Sequence, residues 1–215
     1  MGSRSADRAA ELDTLATTLR LELGAAHEAR EKGLAACRRV IRSSGLAIRA
    51  VHRAQVAKAA ELRDEARVAL AEAQEALQPF PAVAFAGFLH DAEKEYAEAV
   101  LTGCLVGGQP LPEATTIGVQ PVAWLCGLCE AASELRRHLL DRLRAGELDV
   151  AEELLHAMED VYDLLVTVDY PDALTGGLRR MTDALRAVLE RSRADLTTTF
   201  MQARLQAALQ ERAGD

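Results

Sequence analysis

Apolar residues recur every three or four positions along most of the chain, beginning with Leu12, Leu15, Ala16, Leu19 and Leu23. Residues at that spacing share one face of an α-helix. The pattern and its punctuation predict six helices. The first spans about Arg4 to Arg53, either as one very long helix or bent where Gly24, Gly33 and Gly45 each weaken it by roughly 1 kcal/mol relative to Ala. The second runs from about Gln55 to Leu77, where Gln78-Pro79-Phe80-Pro81 stops it. The third covers about Ala82 to Leu105, with Phe85, Phe88, Leu89, Ala92, Tyr96 and Val100 on its apolar face. A connector follows, Gly107 to Pro112; no strand precedes its glycine pair and no Gly-Lys-Ser/Thr follows, so it is not read as a phosphate loop.

The fourth helix starts at Pro121, a residue suited to a first turn, and closes at Ala145-Gly146. The fifth spans about Glu147 to Thr167. The sixth is predicted to start at Asp169-Tyr170-Pro171-Asp172, with Asp169 as its N-cap, and to end near Arg193 or continue through Phe200 towards Leu209. No segment alternates apolar and polar residues with the period of a strand. The expectation is a single all-α domain over residues 1–215, a bundle of six or seven helices with residues 1–5 and 211–215 frayed.

Composition supports helix and adds one asymmetry. Ala, Leu, Arg and Glu dominate and aromatic residues are 4% of the chain. The net charge is −8. Yet Arg30 to Arg53 carries seven basic residues against one acid, Glu31, which makes that segment +6 and the remainder −14. Within it Arg38, Arg42, Arg49 and Arg53 are spaced by four, seven and four, which aligns them on one helical face. Such a face suits a phosphate backbone, or pairs with an acidic surface on a neighbouring helix or subunit. No apolar run reaches the roughly 18 residues of a membrane span. With no export signal at the start, the expected setting is the cytoplasm, with Cys37, Cys104, Cys126 and Cys129 reduced.

Acidic residues gather on three helices. The third carries Asp91, Glu95 and Glu98 on one stripe, the fourth Glu130 and Glu134, and the fifth Glu159, Asp160 and Asp163. Like charges at helical spacing repel. They suit a solvated face, or a site in which a hard divalent cation such as Mg²⁺ relieves the repulsion. The Cys126-Gly-Leu-Cys129 motif has no second cysteine pair at zinc-finger spacing and reads as core. The five histidines form no His-x-x-x-His and no triad with serine.

Several segments resemble the translin/TRAX family. Asp169 to Asp183 (DYPDALTGGLRRMTD), continued by Val188 to Asp195, resembles the C-terminal motif of its prokaryotic members. Glu95-Tyr-Ala-Glu-Ala-Val100 resembles the Glu-Tyr-Val-Glu-Ala-Val of TRAX, and Val161-Tyr-Asp163 its Val-Tyr-Asp. Pro121-Val122 with Leu125, Gly127 and Glu134-Leu135 resembles the family's Pro-Val-Asp-Tyr-Leu-Leu-Gly and Gly-Glu-Leu segments, except that Ala123 stands where an acid is common.

The resemblance implies a seven-helix fold, assembly into a hollow homo-oligomer, an octamer, and binding of single-stranded RNA or DNA inside it. TRAX-type members are Mg²⁺-dependent endoribonucleases. Carried over by motif, the catalytic acids are Glu95, Glu98 and Asp163. Glu134 joins them as a metal ligand or as a group bonded to one. Mn²⁺ is an alternative to Mg²⁺, and Arg38, Arg42, Arg49 and Arg53 hold the nucleic acid. Two other functions fit the same residues: a non-catalytic single-strand-binding scaffold, and an all-α nucleoside triphosphate pyrophosphatase using Glu95-x-x-Glu98 with Asp160-x-x-Asp163.

Overall fold

The computed structural model describes the backbone of residues 2–214 and the side chains of residues 7–213. Among the described residues there are nine helices and no strand: α1 (Gly2–His52), α2 (Val56–Leu77), α3 (Pro81–Ala84), α4 (Phe88–Val106), α5 (Ala114–Ile117), α6 (Pro121–Ala145), α7 (Leu148–Val166), α8 (Asp172–Thr175) and α9 (Leu178–Gly214). Six are long, and α3, α5 and α8 are single turns. Met1 and Asp215, the outermost residues of the two ends expected to fray, lie outside the described residues.

The long helices pack in sequence. α2 lies against α1, α1 against α4, α4 against α6, and α6 against both α7 and α9. Small side chains set the spacing: Ala36, Ala47, Ala66, Ala69, Ala73, Ala97, Ala131 and Ala132 are buried along these seams. Leu101, Leu128, Leu135, Leu139, Met158 and Leu185 fill the space between them. Each such residue contributes roughly 1.5–3 kcal/mol when fully buried.

Where the elements differ from the sequence reading, glycine and proline explain the difference. α1 is unbroken through its three glycines: Gly24 and Gly45 meet nothing within 4 Å, and Gly33 sits under Leu77. The predicted third helix divides into α3 and α4 because Gly87 takes φ +99°, a left-handed conformation that interrupts the helix. Asp169 is not an N-cap. Residues 169–171 lie outside any helix, α8 forms one turn, and Gly176 and Gly177 both take positive φ before α9 begins. From there α9 continues past Arg193 and Phe200 to Gly214.

Two helix ends leave the bundle. On α1 the first buried residue is Ala29, and Leu12, Leu15, Leu19, Leu21 and Leu23 before it are each more than half exposed. On α9, Phe200, Met201, Leu205 and Leu209 are exposed beyond the packed part. Among the described residues no helix is long and apolar enough to cross a membrane.

Candidate metal centre and nucleic-acid face

The site begins with a glycine inside a helix. Gly127 of α6 lies where α4 crosses it, and a Cβ there would come within 2.7 Å of Ala97 Cβ and 2.8 Å of Glu98 N and Lys94 O. The two backbones touch at this point. The residues one turn away on each helix therefore converge, namely Glu95 and Glu98 on α4 and Glu130 on α6. One carboxylate oxygen from each lies within 4.8 Å of those from the other two.

That convergence is electrostatically unfavourable by itself. Glu98 is 8% exposed. Burial, then the neighbouring charges of Glu130 and Glu95, push its pKa up from 4.5 to about 9. Lys94 offsets part of the repulsion: its Nζ donates to Glu130 at 2.9 Å and lies 3.5 Å from Glu95. Burial opposes the Lys94 charge, but those two carboxylates outweigh it and hold its pKa above the usual lysine value. A tethered ammonium thus supplies positive charge to two of the three carboxylates.

One turn further along α6, Glu134 turns away from the three. Its carboxylate accepts from His52 Nε2 at 2.6 Å, and His52 Nδ1 lies 3.0 Å from His138 Nε2. The hydrogen bond to Glu134 assigns the proton to His52 Nε2. Nδ1 and His138 Nε2 share the second hydrogen bond, its direction set by the tautomers. Burial, then the nearby charge of His52, lower the His138 pKa. Glu134 therefore sits outside the converging group, bonded to α1, although its charge still bears on Glu98.

Asp163, expected as the third catalytic acid, is not among the three carboxylates that converge here. The buried face of α7 is formed by Ala151, Leu155, Met158, Val161 and Leu165. Asp163 lies about 200° from its neighbours Val161 and Leu165 and is exposed. Its place in the group is taken by Glu130. Asp160 is exposed beside it, so the second acidic pair needed by the pyrophosphatase reading does not join the site either. Asp91 is likewise exposed. Glu93, one residue off the stripe, is 2% exposed and structural: Gln74 Nε2 donates to it at 2.8 Å and the Gln120 backbone N–H at 3.1 Å, fixing the start of α6 against α2 and α4.

Arg38, Arg42 and Arg49 on α1 and Arg53 in the turn just after it are all exposed, and none makes an ion pair among the described residues. Arg39, between them, does pair with Glu72 of α2. Among the described residues, pairing within the chain therefore does not account for the aligned face. Cys126 and Cys129 are buried free thiols, and burial pushes the Cys129 pKa up to about 12, so the motif is core.

The structure thus defines an all-α bundle in which carboxylates converge from two crossing helices, with a separate exposed arginine face. Comparison with known proteins narrows it. The chain superposes on the crystal structure of AfC3PO and on that of an AfC3PO–duplex RNA complex, each with a TM-score of 0.79 and 30% identity over 88% of this chain, covering 98% and 97% of those chains. The fold also matches apo-NeC3PO, with a TM-score of 0.77 at 18% identity over 85% of this chain and 96% of that one. An uncharacterised protein of Methanocaldococcus jannaschii is 26% identical over 181 residues, which are 82% of this chain and 78% of that protein. No family model matches the chain. The chain belongs to the translin/TRAX family, to which the C3PO proteins belong.

Proposed function

We propose that this protein is a divalent-metal-dependent endoribonuclease that cleaves single-stranded RNA, less readily DNA, within a homo-oligomeric shell. The observation that carries the proposal is the convergence of Glu95, Glu98 and Glu130 within 4.8 Å, with one of them buried. An all-oxygen, carboxylate-rich donor set suits Mg²⁺ or Mn²⁺. A divalent ion held there supplies Lewis-acid polarisation of a phosphoryl oxygen and a lowered pKa for an attacking water. The chain's own residues do the rest. Glu95, Glu98 and Glu130 fix the ion, and His52 and His138 hold Glu134 beside it. Arg38, Arg42, Arg49 and Arg53 bind the backbone with little sequence preference. The apolar stripes of the first half of α1 and the last third of α9 are suited to contacts between subunits. RNA as substrate class is supported by the relative solved with duplex RNA.

The test is cleavage of a labelled single-stranded RNA with Mg²⁺, with EDTA, and by Glu98→Ala, with the same sequence as a duplex alongside. Cleavage that needs metal and Glu98 is expected, faster on the single strand. Equal cleavage in EDTA or by the variant overturns the reading. RNA that binds with steep salt dependence yet stays intact favours the non-catalytic scaffold.

Lys94 gives a second measurement. Lys94→Met removes the tethered ammonium from the three carboxylates. Its metal-free melting temperature is expected to fall, while its affinity for Mn²⁺ rises by about tenfold, equivalent to about 1.4 kcal/mol. Thermal shift with and without Mn²⁺ reads both. A variant that binds Mn²⁺ no tighter than the wild type shows that Lys94 and the cation do not compete.

A further inference from the structure

Beside the acidic cluster lies a cavity of about 430 Å³ bounded by His52, Arg63, Gly103, Val106, His138 and Leu154. It is reached from Glu98 by five residues along α4, about 7.5 Å at helical rise, and from Glu134 through the His52–His138 pair. We propose that it is a nucleotide subsite, in which Arg63 takes a phosphate and the apolar and histidine wall takes a base or ribose.

Three observations carry this. First, Arg63 is half-buried and makes no hydrogen bond or ion pair among the described residues, although acids lie close to it in sequence. Glu61 is engaged by Lys58 and Asp64 by Arg67. An arginine kept apart from available carboxylates and turned towards a cavity is ready for an external anion. Second, its position is built. The guanidinium lies over Gly103, where any Cβ would run into Nη1. Third, the other charges at the cavity are already matched: Arg142 pairs with Glu147 at 2.8 Å, and Asp141 lies 3.8 Å from Arg144. Arg63 is therefore the unmatched permanent charge among its bounding residues. The volume is within the range of small-molecule pockets. Val106 and Leu154 supply an apolar wall, and imidazole is among the side chains on which bases stack.

The inference deepens the nuclease reading and rests on it for its place beside the scissile phosphate. A strand anchored at Arg63 would present its next phosphodiester towards Glu98 and Glu130.

Titration calorimetry of the full-length protein in EDTA with adenosine 5′-monophosphate, adenosine and inorganic phosphate tests it. Saturable binding of the monophosphate is expected, weaker binding of the other two, and at least a tenfold loss for the monophosphate in Arg63→Gln at unchanged melting temperature. The same variant should raise KM for single-stranded RNA more than it lowers kcat. Should Arg63→Gln not fold, Gly103→Ala, which forces the guanidinium away without removing its charge, gives the same comparison. Absence of monophosphate binding, or equal binding by the variants, overturns the subsite even where RNA is cleaved. Arg63-dependent binding without any RNA cleavage instead sustains the subsite and sinks the nuclease reading.

Discussion

Glu98→Gln should abolish metal-dependent cleavage and at the same time stabilise the metal-free protein near neutral pH. The two effects have one cause. Glu98 is buried among Glu130, Glu95 and, further off, Glu134, so its carboxyl group holds a proton up to about pH 9. In the unfolded chain that proton leaves near pH 4.5. Between those values the unfolded state binds fewer protons than the folded one, and folding stability falls as pH rises. The contribution is fully present below pH 4.5 and lost by about pH 9. A glutamine has the same shape and nothing to titrate. Relative to wild type, the variant gains up to about 1.4 kcal/mol per pH unit across that window, a few kcal/mol in all.

A divalent cation reverses the sign for the wild type. It needs the ionised carboxylate, so its affinity rises through the same window. The variant lacks that ligand and should lose about a thousandfold in cleavage, the scale seen when a charge-stabilising group is removed from a reaction centre. Thermal denaturation in EDTA from pH 5 to 9, repeated with Mn²⁺, separates the outcomes. Parallel stability curves for the two proteins in EDTA would mean that Glu98 is not the buried proton holder. A wild-type metal shift retained in the variant would mean that it is not a ligand.

The helical spacing of apolar residues and the Pro/Gly punctuation were enough to identify the six long helices and to place four of them within a few residues, whereas α4 starts six residues and α9 nine residues later than expected. The single turns α3, α5 and α8 were not legible, because four-residue helices carry no periodicity; Gly87, Gly176 and Gly177 mark the breaks only once their positive φ is known. Two of the three acids of the site could be read directly. Glu95 and Glu98 share a stripe by spacing alone. The partner helix could not be chosen that way, because α6 and α7 both offer acids. Asp163 came from motif resemblance and faces solvent. Glu130 was visible as one of a pair, and the signal that distinguishes it is three residues upstream: Gly127, a glycine inside an otherwise strong helix, which local propensity disfavours. Such a residue marks where another backbone must come close. Arg63 over Gly103 and the Glu134–His52–His138 chain join helices tens of residues apart in sequence, and no local pattern announces them.

That glycine supports the second large effect. In an ordinary helix interior, Gly→Ala gains about 1 kcal/mol. Gly24, exposed on the projecting part of α1 with nothing within 4 Å of its would-be Cβ, should show that gain as Gly24→Ala. Gly127→Ala should do the opposite. Its Cβ would stand 2.8 Å from two backbone atoms of α4, Glu98 N and Lys94 O, which cannot rotate aside as a side chain can. Helix α6 must then move away from α4, at a cost of about 1–3 kcal/mol for the strain, and more for Gly127→Val. The movement also opens the only place where Glu98 and Glu130 are held together among the described residues, so the Mn²⁺-induced rise in melting temperature should shrink with it. Denaturant melts of the two alanine variants, with and without Mn²⁺, provide the check. If Gly127→Ala is stabilising like Gly24→Ala, the close crossing of α4 and α6 is wrong. If it destabilises yet keeps the full metal response, the crossing holds the bundle together but does not set the spacing of the carboxylates.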